Sequence, residues 1–179
     1  MHFINNYKRS IINYDLINKF FYQNTNNIPK IKKINLFFNL PNFDSTNMLS
    51  ALTALEIISL QKSKIINSQS SNISLKIKKG YPVGCKVNLN KTKKHLFLTK
   101  FLLELNKRTT PKIKKTSNSF TFSFQLKTIL KFSELKYNYQ YFNTLSKLNI
   151  NIVTTANSYP EYLFLLKSYK LINANVTQR

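Results

Sequence analysis

Two rhythms of hydrophobic and polar positions alternate along the chain. Over Tyr7–Tyr22, Ile11, Ile12, Asp15, Leu16, Lys19 and Phe20 fall at helical spacing, which predicts an amphipathic N-terminal helix. The polar run Asn24–Asn27 ends it. After Pro29, the apolar Ile31, Ile34 and Leu36 are interleaved with Lys32, Lys33 and Asn35 in an imperfect two-residue alternation, the pattern of a strand with one basic face. Asp44 or Ser45 is then a fitting N-cap for a helix whose Met48, Leu49, Leu52, Leu55, Ile58 and Leu60 draw an apolar stripe.

Short strand candidates follow at Lys64–Ile66, Ile73–Lys78 and Lys86–Leu89, the last two flanking Gly80-Tyr81-Pro82-Val83-Gly84. Both glycines of the chain lie in that turn. Their pairing around a proline implies backbone that needs positive φ or close approach, although an ordinary hairpin turn gives the same pattern. Lys91–Asn106 reads as a second amphipathic helix through Leu96, Phe97, Phe101, Leu102 and Leu105, and Lys107–Ser119 as a basic loop. Phe120, Phe122 and Phe124 alternate with Thr121 and Ser123, which predicts a half-buried strand. A polar, Tyr-rich segment leads to another alternating strand, Leu148–Val153, and a closing helix, Tyr159–Tyr169. Strands and helices segregate without a regular βαβ rhythm, so the expected class is α+β. The expected organisation is a single domain, with an N-terminal helix and linker over 1–27 and an α+β core over 28–179.

Charge changes the picture more than length does. Among 179 residues, 28 are basic and 6 acidic, a formal charge of +22. So few carboxylates cannot balance that surplus, and phosphate is the expected counter-charge. A 42% hydrophobic content nevertheless separates the chain from disordered basic tails. Lys or Asn interrupts every apolar run, including Leu96–Leu105, so no membrane-spanning helix is expected. Phe, Tyr, Met, Ile, Asn and Lys supply 93 residues, against 14 of Gly, Ala, Arg and Pro. This is the output of A/T-rich codons and points to an organellar or otherwise A/T-rich genome. No Arg-rich presequence reads cleanly as a transit peptide.

Catalytic chemistry is poorly supplied. Asp15, Asp44, Glu56, Glu104, Glu134 and Glu161 are scattered, and His2 and His95 stand apart. Cys85 and His95 lack a third orienting residue, so Cys85 reads as a small buried hydrophobe and His95 as a solvated side chain. No phosphate-binding glycine loop or metal cluster is present in the sequence, and no cofactor is expected. What remains is a distributed basic surface of Lys30, Lys32 and Lys33; Lys62 and Lys64; Lys76, Lys78 and Lys79; Lys86; Lys91, Lys93 and Lys94; and Lys107, Arg108, Lys112, Lys114 and Lys115. Repeated clusters with almost no acid between them predict a long phosphate-tracking footprint. Tyr81, beside Gly80, is placed either to stack on an unpaired base or to pack.

The run Gly80-Tyr81-Pro82-Val83-Gly84-Cys85-Lys86-Val87, preceded by Leu75-Lys76-Ile77-Lys78-Lys79, resembles the signature of the large-subunit ribosomal protein L-five family. The resemblance extends to Ile28–Ile34, to Gln61-Lys62, and to Leu148–Ala156, in the family's order along nearly the whole chain. It implies an antiparallel sheet with helices on one face, seated in the central protuberance of the large subunit. It also implies contacts with 5S rRNA and neighbouring large-subunit rRNA, with the elbow of P-site tRNA through the loop Asn67–Lys79, and with neighbouring central-protuberance proteins. A bridge to a small-subunit head protein would use Lys107–Asn118 and Leu135–Leu145. Relatives are more basic near the tRNA-facing tip, where this chain has Gln69, Ser70 and Ser71, and a glycine-rich basic insert before Phe120 is missing.

The family's polar contacts to 5S rRNA map onto Phe37, Gln61, Asn88 and Asn90, and Gln61 alone keeps the family residue. The resemblance therefore implies that the 5S contact is lost or reduced. The expected function is a structural, rRNA-binding constituent of the large subunit of a mitochondrial matrix ribosome, the chain itself encoded in an A/T-rich organellar genome. The alternative is a free-standing basic RNA-binding regulatory protein. An enzyme is not expected.

Overall fold

In a computed structural model, the structure describes residues 3–40, 44–74, 77–104, 112–116, 119–126, 129–145 and 147–172. The N-terminal segment runs α1 (Phe3–Tyr7), a π-helical turn (Lys8–Ile12) and α2 (Asn13–Lys19). Then come β1 (Ile31–Asn39), α3 (Ser45–Ser59), β2 (Lys64–Asn67), β3 (Pro82–Leu89) and α4 (Lys91–Glu104). The remainder is β4 (Lys112–Thr116), β5 (Ser119–Leu126), α5 (Ser133–Lys136), α6 (Tyr139–Phe142), β6 (Leu148–Thr154) and α7 (Tyr159–Ser168). The fold is α+β, with an antiparallel six-stranded sheet ordered β2-β3-β1-β6-β5-β4.

Contacts gather the chain into two units, one drawn from 1–34, 90–124 and 151–179 and the other from 35–89 and 125–150. In the first, Ile12 and Leu16, Ile31 and Ile34, Phe97 and Leu98, and Tyr162, Leu165 and Leu166 are buried. Phe120 stacks on Tyr162 at 5.1 Å between ring centres, and buried Thr154 donates its hydroxyl to the Phe120 carbonyl at 3.0 Å. Helix α7 starts on Ser158, whose amide meets the Glu161 carboxylate at 3.4 Å, with Pro160 in the first turn. In the second, Leu36 and Phe38, Met48, Ala51, Leu55 and Ile58, and Cys85, Val87 and Leu89 form the core.

Several expectations shift in detail. The N-terminal helix lies at 3–19 and not 7–22. On α3 the buried stripe is Met48, Ala51, Ala54, Leu55 and Ile58, while Leu49 and Leu60 are exposed; the small alanines let the helix sit close to its neighbours, which hydrophobicity alone does not signal. Leu98 joins Phe97 and Phe101 in the core. Ile73–Lys78 is no strand among the described residues, for the segment folds back on itself with only the Asn72–Ile77 bridge. Within the expected loop 107–119, residues 112–116 pair antiparallel with β5, from Lys112 opposite Ser123 to Thr116 opposite Ser119. Ser119 already belongs to β5, and residues 107–111 and 117–118, Lys107 and Arg108 included, lie outside the described residues.

The glycines separate. Gly80 sits in the turn with φ +86°, a conformation that other residues adopt at a cost. Gly84 lies inside β3, not in the turn, and a Cβ there would overlap the Phe38 carbonyl oxygen and stand 3.2 Å from its carbon. One glycine supplies positive φ and the other close approach.

Candidate nucleic-acid interface

In the second unit, alternation turns one row of each strand toward the core and leaves the other outward. On β1 the outward positions Asn35, Phe37 and Asn39 alternate with buried Leu36 and Phe38; on β3 the exposed Lys86 and Asn88 alternate with buried Cys85, Val87 and Leu89. Antiparallel pairing sets Lys64 opposite Lys86 and Ile66 opposite Gly84, and directly opposed residues share a face. Lys64, Lys86, Asn88 and Phe37 thus belong to one outward surface. Two lysines facing each other across a ladder repel, and an external polyanion removes that repulsion. Gln61, half-buried, follows α3 and is held by backbone exchange with Ser59, whose hydroxyl donates to the Gln61 carbonyl at 3.1 Å. Exposed Lys62 lies near Glu56, whose carboxylate is held below its usual range by hydrogen bonds from the Ser63 amide at 2.9 Å and hydroxyl at 3.0 Å.

Between β2 and β3 the chain makes a narrow tongue. The Ser68 amide donates to the Tyr81 carbonyl at 2.8 Å, the Gly80 amide to the Ser68 carbonyl at 3.0 Å, and the Ser68 hydroxyl to the Lys78 carbonyl at 2.8 Å. These bonds close the base of the tongue, where Lys78, Lys79 and half-exposed Tyr81 sit. Near its end Ile73 is 93% exposed. Lys76 lies outside the described residues.

In the first unit, exposed Lys91 and Lys93 and half-buried Lys94 open α4, behind Asn90. A helix N-terminus carries partial positive charge, so these lysines add to it. Lys91 adopts φ +48°, a left-handed conformation that a non-glycine residue holds at a cost of about 1–2 kcal/mol. Lys94 is not a free surface charge: its ammonium donates to the Ile31 carbonyl at 2.7 Å and reaches that of Lys32 at 3.4 Å. Burial, and then the charge of Lys30, lower its pKa. Lys30 and Lys32 are exposed and Lys33 half-buried at the start of β1.

Two residues differ from what their sequence context signals. Lys8 reads as one basic position in a helix, yet it lies four residues from each of the buried Ile4 and Ile12, and a lysine within an apolar stripe is the available signal. His95 is not solvated but half-buried, its Nδ1 without a hydrogen-bond partner among the described residues. Burial and the charges of Lys94 and Lys8 lower its pKa. Cys85 is fully buried, and burial pushes its thiol up to about 12 despite a backbone hydrogen bond with Phe38, so it is a packing residue with no nucleophilic thiolate near neutrality.

Comparison with known proteins gives the family of the chain. Residues 82–172 match the family model for the C-terminus of the ribosomal L5 family. The chain is 33% identical to large ribosomal subunit protein uL5m of Reclinomonas americana, over 90% of this chain and 92% of that one. It is 30% identical to large ribosomal subunit protein uL5 of Nitrosomonas europaea, over 92% and 94% of the two chains. The corresponding protein of Buchnera aphidicola shares 32%, over 91% and 93%. The chain therefore belongs to the ribosomal L5 family, a family of structural constituents of the large ribosomal subunit and not of enzymes.

Proposed function

We propose that the chain is an rRNA-binding structural constituent of a mitochondrial large ribosomal subunit, lodged in the central protuberance near P-site tRNA and the bridge to the small-subunit head. The observation that carries the rRNA reading is the outward surface on which Lys64 and Lys86 oppose each other beside Asn88, in a chain of +22. Lysine ammoniums at fixed spacing track phosphates with little reading of bases. A mitochondrial home is supported by the A/T-type composition and by the likeness to a protein named uL5m. The tongue around Lys78, Lys79 and Tyr81 is the tRNA-facing element in this reading, and α5 with α6 belongs to the bridge. Sedimentation of mitochondrial lysate after a high-salt wash tests the assignment. Stable comigration with large subunits supports it, and release to the top of the gradient overturns it in favour of a free-standing RNA-binding protein.

A second observation concerns 5S rRNA. Of the four positions that contact it in the family, Phe37 and Asn88 share the outward surface of the second unit, Asn90 is exposed and only Gln61 keeps its residue type. Phe37 offers an apolar ring where the family has an amide, and each hydrogen bond lost to a polar RNA group weakens binding by about 1–3 kcal/mol. In this reading the protein is held by large-subunit rRNA and protein neighbours, and 5S rRNA is absent or reduced. RNA sequencing of purified large subunits decides it: one full-length 5S rRNA per particle refutes the loss.

A further inference from the structure

The N-terminal helical segment brings a cation to a place where cations already stand. Lys8 shares a helical face with buried Ile4 and Ile12, where a lysine ordinarily runs its stem along the surface and lifts its charge into water. Here the helix widens at that residue, the Asn13 amide bonding the Lys8 carbonyl to close a π-helical turn. Such turns recur at functional sites. Helix α1 packs on α4, the helix that carries Lys94 and His95. The Lys94 ammonium is pinned by the carbonyls of Ile31 and Lys32, the two residues that follow Lys30 in the chain, and Lys8 feels the charges of Lys94, Lys30 and Arg9.

Resting on the reading that the chain binds RNA, we infer that Lys8, Lys30 and Lys94 form a preformed cradle for one backbone phosphate of an RNA strand, with His95 at its wall. Within the protein the cluster is electrostatically unsatisfied. Burial and then its cationic neighbours lower Lys8 to about 8, and Lys94 and His95 are lowered by the same two causes. Among the described residues, no carboxylate contributes to any of these shifts. A group that brings negative charge and several acceptor oxygens cancels the repulsion and compensates the lost water with hydrogen bonds, and phosphate does so. Backbone carbonyls, not a carboxylate, position Lys94, so its charge is oriented without being neutralised.

The test uses the full chain and two probes. Inorganic pyrophosphate, followed through the Lys8 side-chain NMR resonance, is expected to raise the Lys8 midpoint from about 8 toward the ordinary lysine value. Poly(U), followed by calorimetry at pH 8 in buffers of different ionisation enthalpy, is expected to bind with uptake of up to about half a proton per chain, since a group titrating near that pH is half deprotonated beforehand. The double variant Lys8→Gln/Lys94→Gln should lose the uptake and about 0.7 of the slope of log K against log salt, one phosphate's share on a single strand. Lys136→Gln, on α5, should keep the uptake. Lys8→Gln removes a repelled cation, so its melting temperature should not fall below that of the wild type. Poly(U) binding without proton uptake, and with the slope unchanged in the double variant, overturns the cradle while leaving RNA binding intact. A response to pyrophosphate without any poly(U) binding overturns the RNA reading, and with it the ligand assigned here.

Discussion

Replacing Gly84 by alanine probes the tightest approach in the fold. The new methyl would overlap the Phe38 carbonyl oxygen, with the Phe38 carbon at 3.2 Å and the Asn39 Cα at 3.5 Å. All three atoms are backbone of β1, which the sheet order holds between β3 and β6, so no side chain can swing aside. Relief requires β3 to part from β1, beginning near the bond from the Leu40 amide to the Val83 carbonyl at 2.9 Å. Loss of two or three such bonds at about 1 kcal/mol each, with overpacking of about 1–3 kcal/mol, gives a cost of about 3–6 kcal/mol. Gly80→Ala meets nothing within 4 Å, and carries only the positive-φ penalty of about 1–2 kcal/mol. Cys85→Ala removes one buried sulfur and should cost about 1 kcal/mol. At about 2–4 °C per kcal/mol for a chain of this size, thermal unfolding by circular dichroism at moderate salt should show Gly84→Ala lowest by about 10 °C. Gly80→Ala and Cys85→Ala should each fall by a few degrees. A Gly84→Ala protein melting within about 3 °C of the wild type, the shift of roughly 1 kcal/mol, would refute the reasoning.

Other consequences are as direct. Lys8 has a folded pKa of about 8 against 10.5 unfolded, so the unfolded state binds more protons between those values, and its penalty on stability is full below pH 8 and relieved as pH rises to 10.5. The melting-temperature advantage of Lys8→Gln should therefore be greatest at pH 7 and shrink by pH 10; an advantage independent of pH would contradict this. Lys91→Gly should stabilise by a few tenths to about 1 kcal/mol in urea titration, left-handed strain removed less the entropy of glycine, and a loss would show that the lysine stem packs. The Cys85 thiol should resist iodoacetamide at pH 8 until urea unfolds the chain; rapid labelling of native protein would show it accessible. Free protein should melt higher and aggregate less as salt is raised, because screening relieves the self-repulsion of +22. A sharp cooperative melt at low ionic strength without RNA would count against that.

Local patterning carried most of the architecture because burial here follows period. Phe120 and Phe122 on β5, or Ile150 and Ile152 on β6, alternate as strands must when one face is buried. What it could not carry depended on neighbours distant in sequence. Lys112–Thr116 is recognisable as a strand only beside β5, and Ile73–Lys78 fails to be one because the segment turns back at Asn72 and Ile77. Gly84 announced a special backbone, but only the Phe38 carbonyl says which kind. For the candidate interface, lysine identity was legible and lysine state was not. Lys94 looked like its neighbour Lys93, yet it is tethered to β1, and Lys8 is not among the basic positions that the sequence singles out.

That distinction bears on how a chain with 3 Arg among 28 basic residues can recognise an RNA surface at all. Arginine brings its own geometry, a planar fork that matches phosphate and base edges, whereas a lysine ammonium is a point charge on a flexible stem. Selectivity built from lysines must then come from where the backbone fixes the charges. The structure supplies two such fixings. Antiparallel register sets Lys64 against Lys86, and two main-chain carbonyls hold Lys94. Each is a repulsive or desolvated arrangement that the free protein tolerates, and in the function proposed above a bound phosphate would relieve it, so that folding and RNA binding would draw on the same interactions. Conservative exchange should therefore fail at these positions in a particular way. Lys94→Arg keeps the charge but brings a larger planar head to a spot sized for an ammonium between two carbonyls, and should disturb the start of β1. Lys136→Arg, at an exposed position of α5, should be neutral in both melting temperature and poly(U) affinity. Equal behaviour of the two variants would mean that charge alone matters and that its placement does not.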